Sequence, residues 1–209
     1  MDSGKRDFDK EAATWDTPPR VKLAGDVSKA MLGRLQLTKE MDVLDFGCGT
    51  GLVTLPFNTL VHSITGVDSS KGMLDVFESK AQKQQINNVK TRYLDLTKGD
   101  VVGDHYHVVV SSMTLHHVKD TQKLFEHFYG AMLPGGQIAI ADLEEEDGRF
   151  HDNNDGVFHF GFNREKLGRL FADVGFTDVQ FKTAAQMKKT GADGKDRVFD
   201  VFLVTGRKG

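Results

Sequence analysis

Three glycines alternate with other residues just after a short apolar run, and one acid precedes them. The glycines are Gly47, Gly49 and Gly51, and the acid is Asp45. Glycine lets the backbone turn tightly and approach a ligand closely, because no Cβ stands in the way. In an open parallel sheet, ligands bind at the carboxyl ends of the strands. The run therefore predicts a site where a nucleoside-bearing cofactor lies against bare backbone.

The spacing of these glycines separates two classes of cofactor. A dinucleotide fingerprint, G-x-G-x-x-G, needs glycine at position 52, where the chain has Leu52. The run from position 45 to 51 instead resembles the first motif of the class I S-adenosylmethionine-dependent methyltransferases. The resemblance implies that Asp45 orients the ammonium end of S-adenosyl-L-methionine, and that the three glycines and Cys48 surround its amino-acid part. A tight strand-to-helix turn without a ligand is the alternative.

Two further acids follow predicted strands. Asp68 ends a strand over residues 63–68, and Asp95 lies near the end of a strand in residues 89–96. A carboxylate can accept hydrogen bonds from both ribose hydroxyls. The resemblance implies that Asp68 binds the ribose and Asp95 the adenine amino group, whereas helix capping and turn formation are the alternatives. Five neighbours are also expected to contact the cofactor, namely Ser69, Met73, Leu96, Ser111 and Met113.

The segment after the predicted fourth strand bears on the methyl acceptor. Base-modifying methyltransferases typically have an Asn/Asp-Pro-Pro-aromatic motif there, but residues 112–117 read Ser-Met-Thr-Leu-His-His. This sequence is similar to that of the small-molecule methyltransferases of quinone-type biosynthesis. The resemblance implies a small-molecule acceptor.

Three histidines are candidates for proton transfer or substrate binding, because a neutral imidazole accepts a proton near pH 7. They are His116 and, in a long segment over residues 145–162, His151 and His159. The neighbouring His117 is a fourth, weaker candidate. Each can equally be a structural histidine. No compact ligand motif such as H-E-x-x-H is present, so we expect no metal site.

Alternating strands and helices predict an α/β protein with a mostly parallel sheet covered on both faces. The resemblance implies a Rossmann-like three-layer sandwich of seven strands, with the last strand antiparallel. We expect a helix directly after the glycine loop, a helix break at residues 133–136, a strand over 137–143, and closing strands near 179–183 and 198–205. Residues 1–209 are expected to form a single domain, with residues 1–35 a helical leader or lid.

Composition limits the partners and the location. With 27 basic and 30 acidic side chains, the formal net charge of −3 gives no sign of nucleic-acid binding. One cysteine and the lack of a long apolar stretch predict a soluble cytoplasmic protein with no membrane partner. The acidic run 142–147 either favours a cationic substrate or is a solvated loop.

The sequence thus predicts an S-adenosylmethionine-dependent methyltransferase with a small-molecule acceptor. A protein side chain as acceptor and a non-catalytic cofactor-binding protein of the same fold remain open. A nicotinamide-dependent oxidoreductase is disfavoured by the glycine spacing.

Overall fold

The computed structural model describes residues 7–103, 105–191 and 194–209. Its seven strands are β1 (Asp42–Phe46), β2 (Ser63–Asp68), β3 (Val89–Tyr93), β4 (Tyr106–Ser112), β5 (Met132–Leu143), β6 (Phe176–Thr190) and β7 (Asp196–Lys208). Its α-helices are α1 (Phe8–Glu11), α2 (Pro18–Leu32), α3 (Lys71–Lys83), α4 (Thr121–Ala131) and α5 (Arg164–Val174). Short 3-10 helices lie between several of these elements.

The strands form one sheet in the order β3-β2-β1-β4-β5-β7-β6. Strands β1 to β5 pair in parallel, whereas β7 is inserted between β5 and β6 and is antiparallel to both. The strand order reverses between β1 and β4, which is where open α/β sheets bind ligands. The predicted seven-stranded, mostly parallel sheet with an antiparallel last strand is confirmed.

Successive residues of the buried strands point to opposite faces, which creates the layers. On β1, Val43 packs in one apolar cluster with Val27 and Met31 of α2. The next residue, Leu44, packs in another cluster with Phe125 of α4. Apolar residues on both faces of the strands therefore require helices on both sides of the sheet, and the three-layer prediction is confirmed.

The expected helix directly after the glycine loop is wrong. The segment contains turns and then a 3-10 helix over Leu55–Phe57. Pro56 has no backbone N–H to donate to a preceding carbonyl, so a regular α-helix cannot run through this segment without losing a hydrogen bond.

Three predicted strands also have different bounds in the structure. Strand β5 begins at Met132, which pairs with Tyr106, and the ladder is irregular before it continues at Gln137. The Leu-Pro-Gly-Gly segment therefore ends α4 as predicted but lies within an interrupted strand. Strands β6 and β7 extend beyond the predicted segments because they pair with each other as a long antiparallel ribbon.

Over the described part of residues 1–35, the helices α1 and α2 precede β1. Residues 1–6 of the predicted leader lie outside the described residues. Among the helices of the described residues, none combines the length and the apolar character needed to cross a membrane.

Candidate active site

A cavity of about 940 Å³ opens above the carboxyl ends of the central strands. Because of the strand order, residues that follow β1, β2 and β3 line one side of it, and residues that follow β4 and β5 line the other. The volume is in the range of small-molecule sites. The first side carries the predicted cofactor residues, and the second carries a group of histidines.

The glycine loop forms the floor of the first side. Gly49 has φ +51°, and a Cβ there would meet no other atom within 4 Å, so the glycine leaves open space toward the cavity that it lines. Gly51 has φ +76°, and a Cβ there would collide with the ring of Phe77 on α3. Gly49 therefore leaves room for a ligand, whereas Gly51 permits the packing of the loop on a helix.

Asp45 lies at the end of β1 and is almost fully buried, with 2% of its surface exposed. The Thr54 hydroxyl donates to its Oδ2 atom at 2.5 Å. Burial raises the pKa of Asp45 to about 7, and the nearby charge of Asp68 acts in the same direction, although the Thr54 hydrogen bond opposes it. A cationic group beside Asp45 would favour its ionised form.

Asp68 lies at the end of β2 and lines the cavity. Its carboxylate accepts hydrogen bonds from the backbone N–H groups of Gly49 at 2.8 Å and Ser70 at 2.9 Å. Burial raises the pKa of Asp68, whereas these N–H groups lower it. The cap of α3 is Ser70, whose hydroxyl accepts from the Met73 amide. Helix capping is therefore not the role of the Asp68 side chain.

Asp95 also lines the cavity, one strand further toward the sheet edge. Its Oδ1 atom accepts from the Thr97 amide at 3.0 Å and from the Thr97 hydroxyl at 2.6 Å. These bonds, with the hydrogen bond and charge of Lys98, hold the pKa of Asp95 below its usual value against the effect of burial. Asp95 is thus an ionised carboxylate that caps a short turn.

Most of the other predicted cofactor residues also reach the cavity. The lining includes Gly47, Cys48, Ser69, Met73, Leu96 and Met113. The pKa of the Cys48 thiol is raised well above its ordinary value, first by burial and then by the charges of Asp45 and Asp68. The thiol therefore stays protonated near neutral pH, which agrees with a space-filling role.

Three predicted site residues are not brought to the cavity wall. Gly51 lies behind the loop against Phe77. The Ser111 hydroxyl is buried and donates to the Phe46 carbonyl at 2.7 Å, so it joins β4 to β1. His159 places its Nε2 atom 3.0 Å from the Val118 carbonyl and holds the long segment in place.

His116 is buried at the cavity wall and is paired with an acid. Its Nδ1 atom lies 2.6 Å from Oδ1 of Asp142, and the two side chains are 1% and 0% exposed. Burial acts to raise the pKa of Asp142, but the charge and hydrogen bond of His116, with the amides of Leu143 and Leu115, hold the pKa below its usual value. An ionised Asp142 accepts the Nδ1 proton, so the Nε2 atom of a neutral His116 carries the lone pair.

Two further histidines surround His116. The ring centroids of His117 and His151 lie 4.2 Å and 5.0 Å from that of His116. The Nδ1 atom of His117 lies 2.8 Å from the Gly156 carbonyl, which can only accept a hydrogen bond. Predicted candidates His116 and His151 are thus brought together, with His117 as a third member.

The sequence did not predict the role of Asp142. It belongs to the acidic run that was interpreted as either a substrate-attracting or a solvated segment, yet its side chain is fully buried. The signal available in the sequence was its position in the apolar run of β5, where a buried carboxylate needs a partner. Arg20 of the leader and Met187 and Lys188 of β6 were also missed as cavity residues.

Two acids attach the leader along one side of the cavity. Asp9 accepts from the Ser70 hydroxyl and the Gly72 amide, each at 2.7 Å. Asp16 accepts from the Thr50 hydroxyl at 2.6 Å and from Lys80 at 2.7 Å. These contacts attach the segment before α2 to the glycine loop and to α3.

Aromatic residues of the leader face the cavity. Trp15 and Phe8 line it, with their rings 5.7 Å apart. Phe8 also makes an edge contact with His117 at 5.7 Å, and the Arg20 guanidinium lies 3.8 Å from the Trp15 ring centroid. The leader thus spans both sides of the cavity.

A family model described as a methyltransferase domain matches residues 21–181. The chain belongs to this family. The predicted resemblance to S-adenosylmethionine-dependent methyltransferases is therefore confirmed. The match extends from α2 into β6 and includes the glycine loop, all three predicted cofactor acids and the histidine group.

Relatives of this methyltransferase domain carry related names. An uncharacterized methyltransferase of Schizosaccharomyces pombe is 30% identical over 161 residues, which are 70% of this chain and 57% of the relative. A ubiquinone biosynthesis O-methyltransferase of Coxiella burnetii is 30% identical over 106 residues, which are 50% of this chain and 44% of the relative. The chain spans about half the length of these curated relatives.

A solved structure shares the fold. Phosphoethanolamine N-methyltransferase 2 of Haemonchus contortus, in complex with S-adenosyl-L-methionine, superimposes with a TM-score of 0.72 at 18% identity. The superposition covers 100% of this chain and 61% of that chain. At this identity the likeness concerns the fold.

Proposed function

We propose that the protein is an S-adenosylmethionine-dependent methyltransferase that methylates a small molecule. The observation that carries the proposal is the cavity wall itself. Gly49 has a positive φ and leaves open space in a cavity that the carboxylates of Asp45 and Asp68 also line. These acids lie on the neighbouring strands β1 and β2, next to the point where the strand order reverses. The family membership supports the same activity.

The residues present fit the cofactor. Gly49 leaves the space that a Cβ would take, and the Asp68 carboxylate has acceptor capacity beyond its two backbone partners. Asp68 would hold the ribose hydroxyls, Asp95 the adenine end, and Asp45 the ammonium end, where a positive charge offsets the burial of its carboxylate.

When bound, S-adenosyl-L-methionine supplies a methyl group on a positively charged sulfur. The chain must hold the acceptor atom close to that group and in line with it, and must exclude water. The leader serves the last requirement, because Phe8 and Trp15 line the cavity. Asp9 and Asp16 hold the leader in that position.

The acceptor would lie on the histidine side, where apolar and imidazole groups meet. Phe150 and Met187 provide apolar surface there, and His116 and His151 provide ring nitrogens. A hydroxyl acceptor loses a proton on methylation, and in the metal-free protein an imidazole held by a buried carboxylate can take it up. The relative named as a ubiquinone biosynthesis O-methyltransferase supports a hydroxylated acceptor.

The proposal is tested by following the methyl label. The protein is incubated with methyl-labelled S-adenosyl-L-methionine and one class of acceptor in each reaction. The classes are hydroxylated aromatic compounds, small amines and unstructured peptides. We expect S-adenosylhomocysteine to form in the presence of hydroxylated aromatics, with the label in the small molecule. Label in the peptides would instead support the protein-directed alternative.

Two variants control this assay. Asp68→Ala should lower the rate at subsaturating cofactor, and Asp75→Ala, which changes an exposed acid on α3, should leave it unchanged. Tight cofactor binding without label transfer to any acceptor class would favour the non-catalytic alternative and contradict the proposal.

A further inference from the structure

We infer that His116, His117 and His151 form a binding site for a single divalent transition-metal ion, with zinc or cobalt as suitable probes. One ring nitrogen from each of the three histidines lies within 4.8 Å of the other two. Two imidazole ligands on one tetrahedral zinc ion lie about 3.3 Å apart, given metal–nitrogen distances near 2 Å. The three nitrogens would therefore approach one another by up to about 1.5 Å on binding.

The first argument is the nitrogen that His116 presents. Its ring is 1% exposed, its Nδ1 atom is bound to Asp142, and its Nε2 atom has no hydrogen-bond partner among the described residues. A buried polar nitrogen of this kind normally has a partner, because burial without one is costly. A metal ion in the cluster would supply that partner.

The second argument is the support behind the rings. A metal-bound histidine usually donates its other N–H to a carboxylate or a backbone carbonyl, which fixes the ring and its tautomer. His116 donates from Nδ1 to the Asp142 carboxylate, and His117 donates from Nδ1 to the Gly156 carbonyl at 2.8 Å. In its neutral form, each ring then carries its lone pair on Nε2, which is the nitrogen that coordination requires.

The surroundings of the cluster also suit a cation. The buried carboxyl group of Asp142 lies 2.6 Å from His116, and a carboxylate there favours a positive ion in the cluster. Two lysines line the same cavity but have other partners. Lys188 pairs with Asp196 at 2.7 Å, and Lys189 donates to the Phe150 carbonyl.

The cluster has the form of a functional site, because all three histidines also line the cavity. Three protein ligands with further positions directed toward a cavity are typical of catalytic zinc, whereas structural zinc has four protein ligands. The expected ligand class is a small molecule with a hydroxyl or carboxylate oxygen.

The absence of a compact sequence motif is explained by the topology, because two of the histidine ligands follow β4 and the third follows β5.

The inference can be tested without cofactor or acceptor, so its failure is separate from that of the proposed activity. The full chain is treated with a chelator, dialysed, and titrated with Co²⁺ while visible absorption is recorded. Zn²⁺ affinity is then measured by competition with a chromophoric chelator. We expect one ion per chain and visible bands of a four- or five-coordinate site that Zn²⁺ abolishes.

Variants identify the ligands among the eight histidines of the chain. His151→Ala and His117→Ala should each weaken Zn²⁺ binding at least 100-fold, and Asp142→Asn about 10–100-fold through His116. The matched control is His62→Ala, which changes an exposed histidine that pairs with Asp42 outside the cluster and should bind zinc like the natural protein.

Two results would overturn the inference. One is Zn²⁺ binding that is no tighter than millimolar in the natural protein. The other is an affinity that is unchanged in His151→Ala or that falls equally in His62→Ala.

Discussion

The Asp142 carboxylate lies 2.6 Å from Nδ1 of His116, and neither side chain has more than 1% of its surface exposed. Asp142 also accepts from the Leu115 amide at 2.8 Å and from the Leu143 amide at 2.7 Å. One carboxylate thus orients the histidine and fixes the turn that carries it. The pair connects the protein core to the cavity.

Asp142→Ala should destabilise the fold by about 3–5 kcal/mol, because it leaves a buried histidine and two buried amides without their partner. The measurement is urea denaturation at pH 7, followed by far-ultraviolet circular dichroism. Asp196→Ala is the matched control, since it breaks an exposed pair with Lys188 and should leave the denaturation midpoint almost unchanged. A similar shift for both variants would contradict the account.

Asp45 makes the free energy of unfolding decrease as the pH rises. Its pKa in the folded chain is raised to about 7, above the unfolded value near 4, so folding favours the protonated form. The contribution is fully present below about pH 4 and is lost as pH rises through 7.

In Asp45→Asn this dependence is removed. The free energy of unfolding of the natural protein, relative to the variant, should therefore fall by about 2–3 kcal/mol between pH 5 and pH 8. Denaturation of both proteins across this range measures the difference. A constant difference would show that Asp45 is ionised throughout.

Alanine at two glycines should separate folding from binding. Gly51→Ala places a Cβ against Phe77 and should cost several kcal/mol of stability. Gly49→Ala meets no protein atom, so its stability loss should be about 1–2 kcal/mol from the positive φ alone, while cofactor affinity falls at least tenfold. Thermal melts measure the stability of the two variants, and calorimetry measures their cofactor affinity. If Gly49→Ala lowers cofactor binding by no more than it lowers stability, that would argue against a ligand at this surface.

Trp15→Ala should weaken binding of S-adenosylhomocysteine more than it lowers the melting temperature, because Trp15 is the leader residue whose indole ring lines the cavity. Trp15 is the single tryptophan of the chain, so ligand binding to the natural protein should also change its fluorescence. Leu60→Ala, at an exposed apolar side chain away from the cavity, is the control. A large loss of stability with unchanged affinity would show that the leader only packs on the domain.

The cofactor side of the cavity was predictable because its information is local. Asp45, Asp68 and Asp95 each end or follow a strand, and parallel strands bring their carboxyl ends to one edge. The glycine spacing then distinguished the family. The α-helix predicted after the loop is absent, because Pro56 lacks the backbone N–H that a regular helix would use there.

The acceptor side depended on tertiary structure and was less predictable. His116 and His151 meet because they follow β4 and β5, which are neighbours in the sheet. The spacing of the histidines in the sequence does not show that His159 bonds to the Val118 carbonyl and stays outside the cluster. Asp142 looked like part of a solvated acidic run, yet it lies at the buried end of β5. Sequence patterns give the strand, but the partner of a buried acid comes from the packing.

The most direct test is calorimetric titration of the natural protein, Asp68→Ala and Asp75→Ala with S-adenosyl-L-methionine and S-adenosylhomocysteine. The account predicts that the natural protein and Asp75→Ala bind both compounds, and that Asp68→Ala loses about 1.5–3 kcal/mol of binding free energy through the ribose hydrogen bonds. Failure of the folded natural protein to bind either compound would contradict the central claim.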